Sequence, residues 1–364
     1  MASILTQPAR RNVQVPVPTT ELPRVTVIVP CYNEEDNLEK NTARLLEYLE
    51  TITARYDWEV LFINDGSKDN TGPVLDRIAT RDTRLRVVHH LRNRGLAEGL
   101  RTGFANARGD YAVTVDADLS YAPEHIGAML DKILETRAEI VLASPYMKGG
   151  RTSNVPWSRE MLSRWANRFL SRISPQHFST FTGMVRAYDM HFLRSLDLKA
   201  GGMDIMPEII YKTLLLRGRV EEIPAHLDWS ELIDPEKPRR ISFGLSWHTF
   251  AILFSGFLFR PFLFFLVPGA LLMLLSLTLS AFVLVHVGVH YQELAPGGGN
   301  WKHFKDALDS SWHDHGYAFA GTATLLILSV QLLSLGVLSM QSKRYFEEIF
   351  HLGTSVYRRS QRDD

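Results

Sequence analysis

The sequence predicts an α/β protein with a mostly parallel sheet, followed by two transmembrane helices. Short apolar runs rich in β-branched residues alternate with stretches of helical periodicity between residues 24 and about 230. Such alternation is typical of a parallel sheet with helices on both faces. Two nearly uncharged apolar runs follow, at residues 262–289 and 317–340. Each exceeds the roughly 20 residues that a helix needs to cross the hydrocarbon core of a bilayer.

Five strands are predicted from the apolar runs, over residues 25–30, 58–63, 85–89, 111–115 and 140–143. The first reads VTVIVP, which is typical of a strand buried on both faces. Asn33 is predicted to cap the helix after it, with Glu34 in the first turn. In open sheets of this kind, ligands bind beyond the carboxyl ends of the strands. The polar residues of interest follow those ends.

Composition and charge limit the classes of function and the structural features that the chain can have. The 40 basic and 40 acidic residues balance, so no global charge favours nucleic acid as a partner. Cys31 is the only cysteine, which excludes an intrachain disulfide. Residues 1–22 are polar and contain prolines without a continuous apolar core, so a flexible arm is expected rather than a cleaved signal peptide.

Basic residues predict the orientation in the membrane. They flank the two apolar runs on the outside, at Lys237, Arg239, Arg240 and Arg260 and at Lys343, Arg344, Arg358, Arg359 and Arg362. Between the runs only Lys302 and Lys305 occur. The positive-inside rule then places both termini in the cytoplasm. The alternative, two buried core helices, is disfavoured because core helices rarely lack charge over such lengths. The histidines between the runs have no spacing that fixes a metal-ligand set.

The strongest motif is Asp116-Ala117-Asp118, directly after the predicted strand YAVTV. Residues i and i+2 of an extended segment point the same way, so the two carboxylates can share one hard cation, Mg²⁺ or Mn²⁺. Such a cation would bridge a diphosphate. A solvated acidic turn is the alternative. For Asp65, the alternative to a ligand-binding role is a structural one in an ordinary Asp-Gly turn. For Glu34, the alternative is that its charge stabilises the start of the following helix.

A basic amphipathic helix is predicted around Trp157, Met161, Trp165 and Phe169, which recur every fourth residue beside Arg164, Arg168 and Arg172. The pattern fits a helix on the membrane surface and, equally, a packing helix with a solvated face. Arg159 and Ser163 share a face because they are four residues apart. Residues 241–259 are expected to form another interfacial helix.

Together, VPCYNEEDNL, INDGSKDNT, NRGLAEGLRTGFANARGDY, VDADLSYAPEHI and TGMVRAY resemble the GT-A domain of family-2 glycosyltransferases. With two apolar runs after it, the chain is similar to the dolichol-phosphate mannose synthase and polyprenyl-phosphate glycosyltransferase branch. The resemblance implies that donor-binding residues are Pro30, Tyr32, Glu34, Ile63, Asp65, Asp116, Ala117 and Asp118. It implies metal binding at Asp116 and Asp118, acceptor-phosphate binding at Arg159 and Ser163, and catalytic roles for Asp118 and Arg159.

Two departures from that branch bear on the donor. Ser120 stands where the branch usually has Gln, and Pro145 stands where it often has Arg. They leave open whether the donor is GDP-mannose or a UDP-sugar. The resemblance implies inverting transfer of a hexose from a nucleotide-diphospho-sugar to a polyprenyl or dolichyl phosphate at the cytoplasmic membrane face. Alternatives are non-processive transfer to a hydroxyl of a lipid-linked glycan, or an inactive nucleotide-sugar-binding scaffold.

The expected partners are the nucleotide-sugar, the polyprenyl phosphate and the lipid bilayer; a homo-oligomer is left open and nucleic acid is not expected. The predicted domain order is a 1–22 arm, a 23–235 catalytic domain, a 236–260 interfacial helix, spans at 261–289 and 317–341 joined by a 290–316 extracytoplasmic loop, and a 342–364 cytoplasmic tail.

Overall fold

A mostly parallel sheet forms the centre of the domain that precedes the apolar helices. The structure, a computed structural model, describes residues 21–230, 259–293 and 300–363, without the side chains of residues 351 and 354–363. The predicted arm and interfacial helix therefore lie almost wholly outside the described residues.

The main sheet has seven strands in the order β3-β2-β1-β4-β7-β5-β8. They are β1 Arg24–Cys31, β2 Asp57–Asn64, β3 Leu85–His89, β4 Tyr111–Thr114, β5 Ile140–Ser144, β7 Arg186–Asp189 and β8 Val220–Pro224. Only β7 runs antiparallel to its neighbours β4 and β5. Two short strands, β6 Arg151–Ser153 and β9 His226–Asp228, pair separately. The five predicted strands and the α/β class are confirmed, and β6 to β9 were not predicted.

Helices cover both faces of the sheet. They are α1 Leu38–Ile52, α2 Thr71–Ala79, α3 Leu96–Asn106, α4 Glu124–Thr136, α5 Trp157–Ile173, α6 Met190–Leu193 and α7 Ile205–Leu215. The apolar sides of α1, α2 and α4 pack in one core. Those of α3, α5, α6 and α7 pack in the other. Two buried faces explain why the strands read as continuous apolar runs.

The order of the strands reverses between β1 and β4. From β1 the chain proceeds to β2 and β3 on one side, and β4 pairs with β1 on the other. At such a reversal the loops after two adjacent parallel strands diverge and leave a crevice that commonly holds ligands. Tyr32 and Glu34 follow β1, and Asp116 follows β4, so these residues border this crevice.

Two long apolar helices follow, α8 Leu263–Glu293 and α9 Asn300–Asp363. Both are long and apolar enough to cross a membrane. Their outer apolar side chains are exposed; Leu271 and Leu284 are 62% and 70% accessible. Small residues bring the two helices together: Gly269 lies against Leu333, and Ser276 Oγ donates to the Thr322 carbonyl oxygen at 3.1 Å. The predicted pair of apolar helices is confirmed.

The segment predicted as a loop between the spans is largely helical. Helix α8 continues to Glu293, and α9 begins at Asn300 and reaches a kink at His315, where φ is −131° and ψ 29°. Ala307 and Ser311 are fully buried one turn apart. Ala307 and Ser311 therefore mark a buried face of this segment. The bulky side chains of Trp301 and Trp312, on the same segment, are exposed.

Candidate active site at the carboxyl edge of the sheet

Three parallel strands bring the predicted donor residues to one edge of the sheet. Strand β1 lies between β2 and β4, with Cys31 opposite Asn64 and Ile28 opposite Thr114. Hence the turns after all three strands emerge together, and they carry Tyr32 and Glu34, Asp65, and Asp116 to Asp118. Tyr32 is 40% exposed at this edge, whereas the side chain of Ile63 is fully buried in the core below it.

The third turn is held by two main-chain hydrogen-bond donors, one of which binds the Asp118 carboxylate. The amide of Leu119 donates to the Asp116 carbonyl oxygen at 3.1 Å, and the amide of Ser120 donates to Asp118 Oδ1 at 3.0 Å. Leu119 has a φ of 48°, in the left-handed region. The chain therefore reverses directly after the motif, which fixes the direction of the Asp118 carboxylate.

Asn41 supports this turn from the neighbouring helix. Its Nδ2 donates to the Ala117 carbonyl oxygen at 3.0 Å, between the two aspartates. The side chain lies on α1 and is 4% exposed. Its Oδ1 is buried and has no hydrogen-bond partner among the described residues. Local sequence patterns carry no signal for this contact, because 76 positions separate the two residues.

The electrostatics of the turn suit a cation. Burial, together with the negative charges of Asp118 and Glu34, raises the pKa of Asp116 to about 7. A divalent cation beside the two aspartates would relieve this repulsion and stabilise the ionised form. Among the described residues, no group of three or more His, Cys, Asp and Glu side chains could hold a metal unaided. Two carboxylates completed by substrate oxygens and water are a common arrangement for Mg²⁺, so the residues fit the predicted Mg²⁺ or Mn²⁺.

Asp65 organises the loop that borders the same crevice. Its carboxylate accepts the amides of Arg94 and Gly95 at 2.9 and 2.8 Å and contacts His90 Nδ1 at 2.6 Å. The next residue, Gly66, has a φ of 65°, and a Cβ there would lie 2.2 Å from the Arg92 carbonyl carbon. Three of the roughly four acceptor sites of the carboxylate are thus occupied. Its donor-binding role stays a prediction, with one acceptor site left for a ligand.

The predicted cap at Asn33 was wrong. Helix α1 begins at Leu38, after a cap at Asn37. Asn33 instead has a φ of 56° and accepts the Lys68 amide at 2.8 Å, while its own amide donates to Ser67 Oγ at 3.1 Å. These bonds tie the first turn to the second. The Asn side chain bonds the backbone of a neighbouring loop because its αL conformation removes it from the helix start.

The predicted acceptor residues lie on α5, which is confirmed as a helix. The guanidinium of Arg159 lies 5.1 Å from the centre of the Trp229 ring. Ser163 Oγ accepts a hydrogen bond from the Tyr146 hydroxyl at 2.8 Å and contacts Asn167 Nδ2 at 3.3 Å. Both predicted side chains are therefore held in place by contacts that the helical spacing alone did not predict.

Strand β9 connects α5 with the aspartate turn. The amide of Asp228 donates to the Ser120 carbonyl oxygen at 2.8 Å, and the next residue is Trp229, whose ring contacts Arg159. The amide of Trp229 donates to Ser153 at 3.1 Å, which completes the pairing of β6 with β9. A continuous set of contacts thus runs from Asp118 through Ser120 and β9 to Arg159.

A polar cavity of about 250 Å³ opens beside Asp118. Its lining includes Arg44, Ser120, His226, Asp228 and Ser230. His226 is oriented by a 2.8 Å contact between its Nε2 and Ser153 Oγ, and Asp228 Oδ1 accepts from Asn154 Nδ2 at 2.9 Å. Of the lining residues, Arg44, His226, Asp228 and Ser230 had no role predicted from the sequence. The cavity adds a site next to the second aspartate that is large enough for a small polar group.

Comparison with known proteins identifies the family. The model of glycosyl transferase family 2 matches residues 26–196. An undecaprenyl-phosphate mannosyltransferase of Micrococcus luteus is 33% identical over 208 residues, which cover 55% of this chain and 82% of that protein. The chain belongs to glycosyl transferase family 2. It is therefore a glycosyltransferase, as the resemblance predicted.

Two further relatives differ in how much of this chain their similarity covers. A polyprenol monophosphomannose synthase of Mycolicibacterium smegmatis is 34% identical over 181 residues, or 49% of this chain and 66% of that protein. A glycosyltransferase of Synechocystis sp. is 28% identical over 332 residues, or 89% of this chain and 92% of that protein. The second similarity extends beyond the catalytic sheet into the apolar helices.

Proposed function

We propose that the protein transfers a hexose from a nucleotide-diphospho-sugar, GDP-mannose or a UDP-sugar, to a polyprenyl or dolichyl phosphate at the cytoplasmic face of a membrane. The observation that carries the proposal is the set of contacts joining the aspartate turn to Arg159 through β9. It couples the edge that carries Asp116 and Asp118 to a cationic helix on a chain with two candidate membrane spans. Two relatives named for transfer to polyprenyl phosphates support the choice of acceptor.

On the donor side, Asp116 and Asp118 would hold Mg²⁺ or Mn²⁺, and Pro30, Tyr32, Glu34, Ile63, Asp65 and Ala117 would form the rest of the nucleotide site. When bound, the cation supplies positive charge to the diphosphate that leaves with the nucleoside. The chain's own part is geometric. Asn41 and the Ser120 amide hold the turn rigid, so that Asp118 keeps its direction as the donor binds.

On the acceptor side, Arg159 and Ser163 would orient the phosphate of the lipid. A phosphate monoester is already anionic near neutral pH, so the reaction needs no strong general base. A phosphate oxygen attacks the anomeric carbon, the bond from that carbon to the nucleoside diphosphate breaks, and the configuration inverts. Arg159 suits this role because a guanidinium forms paired, charge-assisted hydrogen bonds with phosphate oxygens.

The proposed arrangement in the membrane follows the charge pattern. Residues 23–235 would form the cytoplasmic catalytic domain, with spans at 261–289 and 317–341 and both termini in the cytoplasm. The exposure of apolar side chains on helix α5 supports its proposed position at the bilayer surface: Trp157, Met161 and Trp165 are 74%, 51% and 50% exposed. A helix that only packs against its own domain would bury such residues.

The test is transfer by membranes that contain the protein. Membranes receive polyprenyl phosphate and, one at a time, radiolabelled GDP- and UDP-sugars, and the lipids are separated by thin-layer chromatography. One donor should give a labelled lipid that depends on added polyprenyl phosphate. If none of the donors gave a labelled lipid although the protein was present and folded, the proposal would be contradicted.

A further inference from the structure

A basic cavity lies on a second side of α5. Its volume is about 280 Å³, and its lining includes Arg164, Arg168, Arg172 and His177. No Asp or Glu occurs among the described residues that line it. The cavity therefore concentrates positive charge where no carboxylate of its own lining offsets that charge.

The arginines of this cavity differ in how they are held. Arg164 pairs with Glu160 at 2.7 Å and lies 4.8 Å from the centre of the Tyr146 ring. Arg168 and Arg172 form no ion pair with any residue that the structure describes, and both are exposed. One guanidinium is thus fixed as part of the wall, and among the described residues no carboxylate competes with an anion for the other two.

The cavity adjoins the proposed acceptor site through Tyr146 and Asn167, which line it and contact Ser163, but its arginines lie on another side of the helix from Arg159. Arg159 and Arg164 are five residues apart, which corresponds to about 140° around an α-helix. Arg159 turns towards Trp229, whereas Arg164 turns towards Tyr146. The helix therefore presents two cationic sites that face different surroundings.

Exposed apolar side chains lie next to the two available arginines. Trp157, Met161 and Trp165 form a row along α5, and Arg168 follows Trp165 by three residues, which makes them neighbours on the helix surface. An amphipathic helix with aromatic residues beside basic ones is suited to the boundary between headgroups and acyl chains. The two candidate spans would keep this helix near a bilayer.

We propose that this cavity binds the phosphate of an acidic phospholipid, with Arg168 and Arg172 as its principal ligands, and so seats α5 on an anionic membrane surface. Guanidinium groups match phosphate geometry, and basic residues are attracted to the negative surface of a leaflet. The inference rests on the proposed membrane attachment but not on the transfer reaction. The activity would accordingly respond to the acidic lipid content of the membrane.

The experiment uses the full chain in detergent, titrated with phosphatidylglycerol, phosphatidylcholine or polyprenyl phosphate, with and without inorganic phosphate, and analysed by native mass spectrometry. The test variant is Arg168→Gln/Arg172→Gln. The matched control is Arg77→Gln/Arg137→Gln, which removes two exposed arginines from the ends of α2 and α4, helices that pack on the other face of the sheet from α5. At about 1 kcal/mol for each basic residue near an anionic surface, the test variant should bind phosphatidylglycerol about 30-fold more weakly.

The outcomes separate this site from other sources of phosphate. The wild type and the control should prefer phosphatidylglycerol over phosphatidylcholine, and the test variant should lose that preference. Equal binding of both lipids by the wild type, or unchanged binding by the test variant, would overturn the proposal. So would loss of polyprenyl phosphate binding alone, which would assign the cavity to the acceptor, or full competition by inorganic phosphate. A failure of sugar transfer would leave these binding results unchanged, so the two proposals fail separately.

Discussion

Replacing Arg159 tests the acceptor site most sharply. In Arg159→Ala the guanidinium that lies 5.1 Å from the Trp229 ring is lost. If it binds the acceptor phosphate in the transition state, the loss is about 2–4 kcal/mol, or a factor of roughly 30 to 1,000 in kcat/KM. Among the described residues, the contact that the Arg159 side chain loses is the one with Trp229, which is worth about 0.5–1 kcal/mol at a partly exposed site. The kcat/KM for transfer should therefore fall by that factor, while the free energy of unfolding changes little.

Arg159→Lys is the matched variant. Lysine keeps the charge near Trp229 but lacks the paired donors of a guanidinium, so it should recover little transfer. The assay is initial transfer rate at several polyprenyl phosphate concentrations, with donor binding measured by calorimetry. Donor affinity should match the wild type in both variants. If it fell together with transfer, Arg159 would belong to the donor site, and if transfer were unchanged, Arg159 would serve only to pack α5 against β9.

Three further predictions test other parts of the account. Excess EDTA or Asp118→Asn should abolish transfer, and full activity in either case would remove the metal from the donor site. Asn41→Leu should destabilise the fold by about 1–3 kcal/mol in urea unfolding and lower donor affinity, because the Ala117 carbonyl oxygen loses its partner; an unchanged affinity would show that the turn holds its shape alone. A cysteine at position 298 should react with an impermeant thiol reagent in intact cells and one after position 362 should not, against a low background because Cys31 is buried; the reverse pattern would invert the topology.

The sequence predicted strands such as β1 and β5 because they are buried on both faces and are therefore continuously apolar. Strand β1 has five consecutive buried residues, and β5 has no exposed one. By contrast, β6 and β9 read RTS and HLD and carry no apolar pattern. Their pairing depends on contacts between segments far apart in the chain, such as that of Arg151 with His226. Local patterns cannot predict a strand that exists only because of a distant partner.

The same distinction applies to the candidate site. Asp116 and Asp118 were recognisable because they directly follow an apolar strand. Their support was not, because Asn41 comes from another helix and is 76 positions away. Likewise, the helical spacing of Arg159 and Ser163 was visible, but Trp229 and Tyr146 were not. The sequence thus identified groups able to bind ligands, and the structure added the residues that orient them.

The most direct test of the central claim compares acceptors that differ only at the head group. Purified protein in lipid nanodiscs receives its donor nucleotide-sugar with a polyprenyl phosphate or with the corresponding polyprenol. The masses of the lipids are determined by mass spectrometry, and the release of nucleoside diphosphate is measured in the same samples. The account predicts one hexose added to the polyprenyl phosphate, an equal amount of nucleoside diphosphate released, and no product from the alcohol. A product on the alcohol, or nucleoside diphosphate release without any glycosylated polyprenyl phosphate, would contradict it.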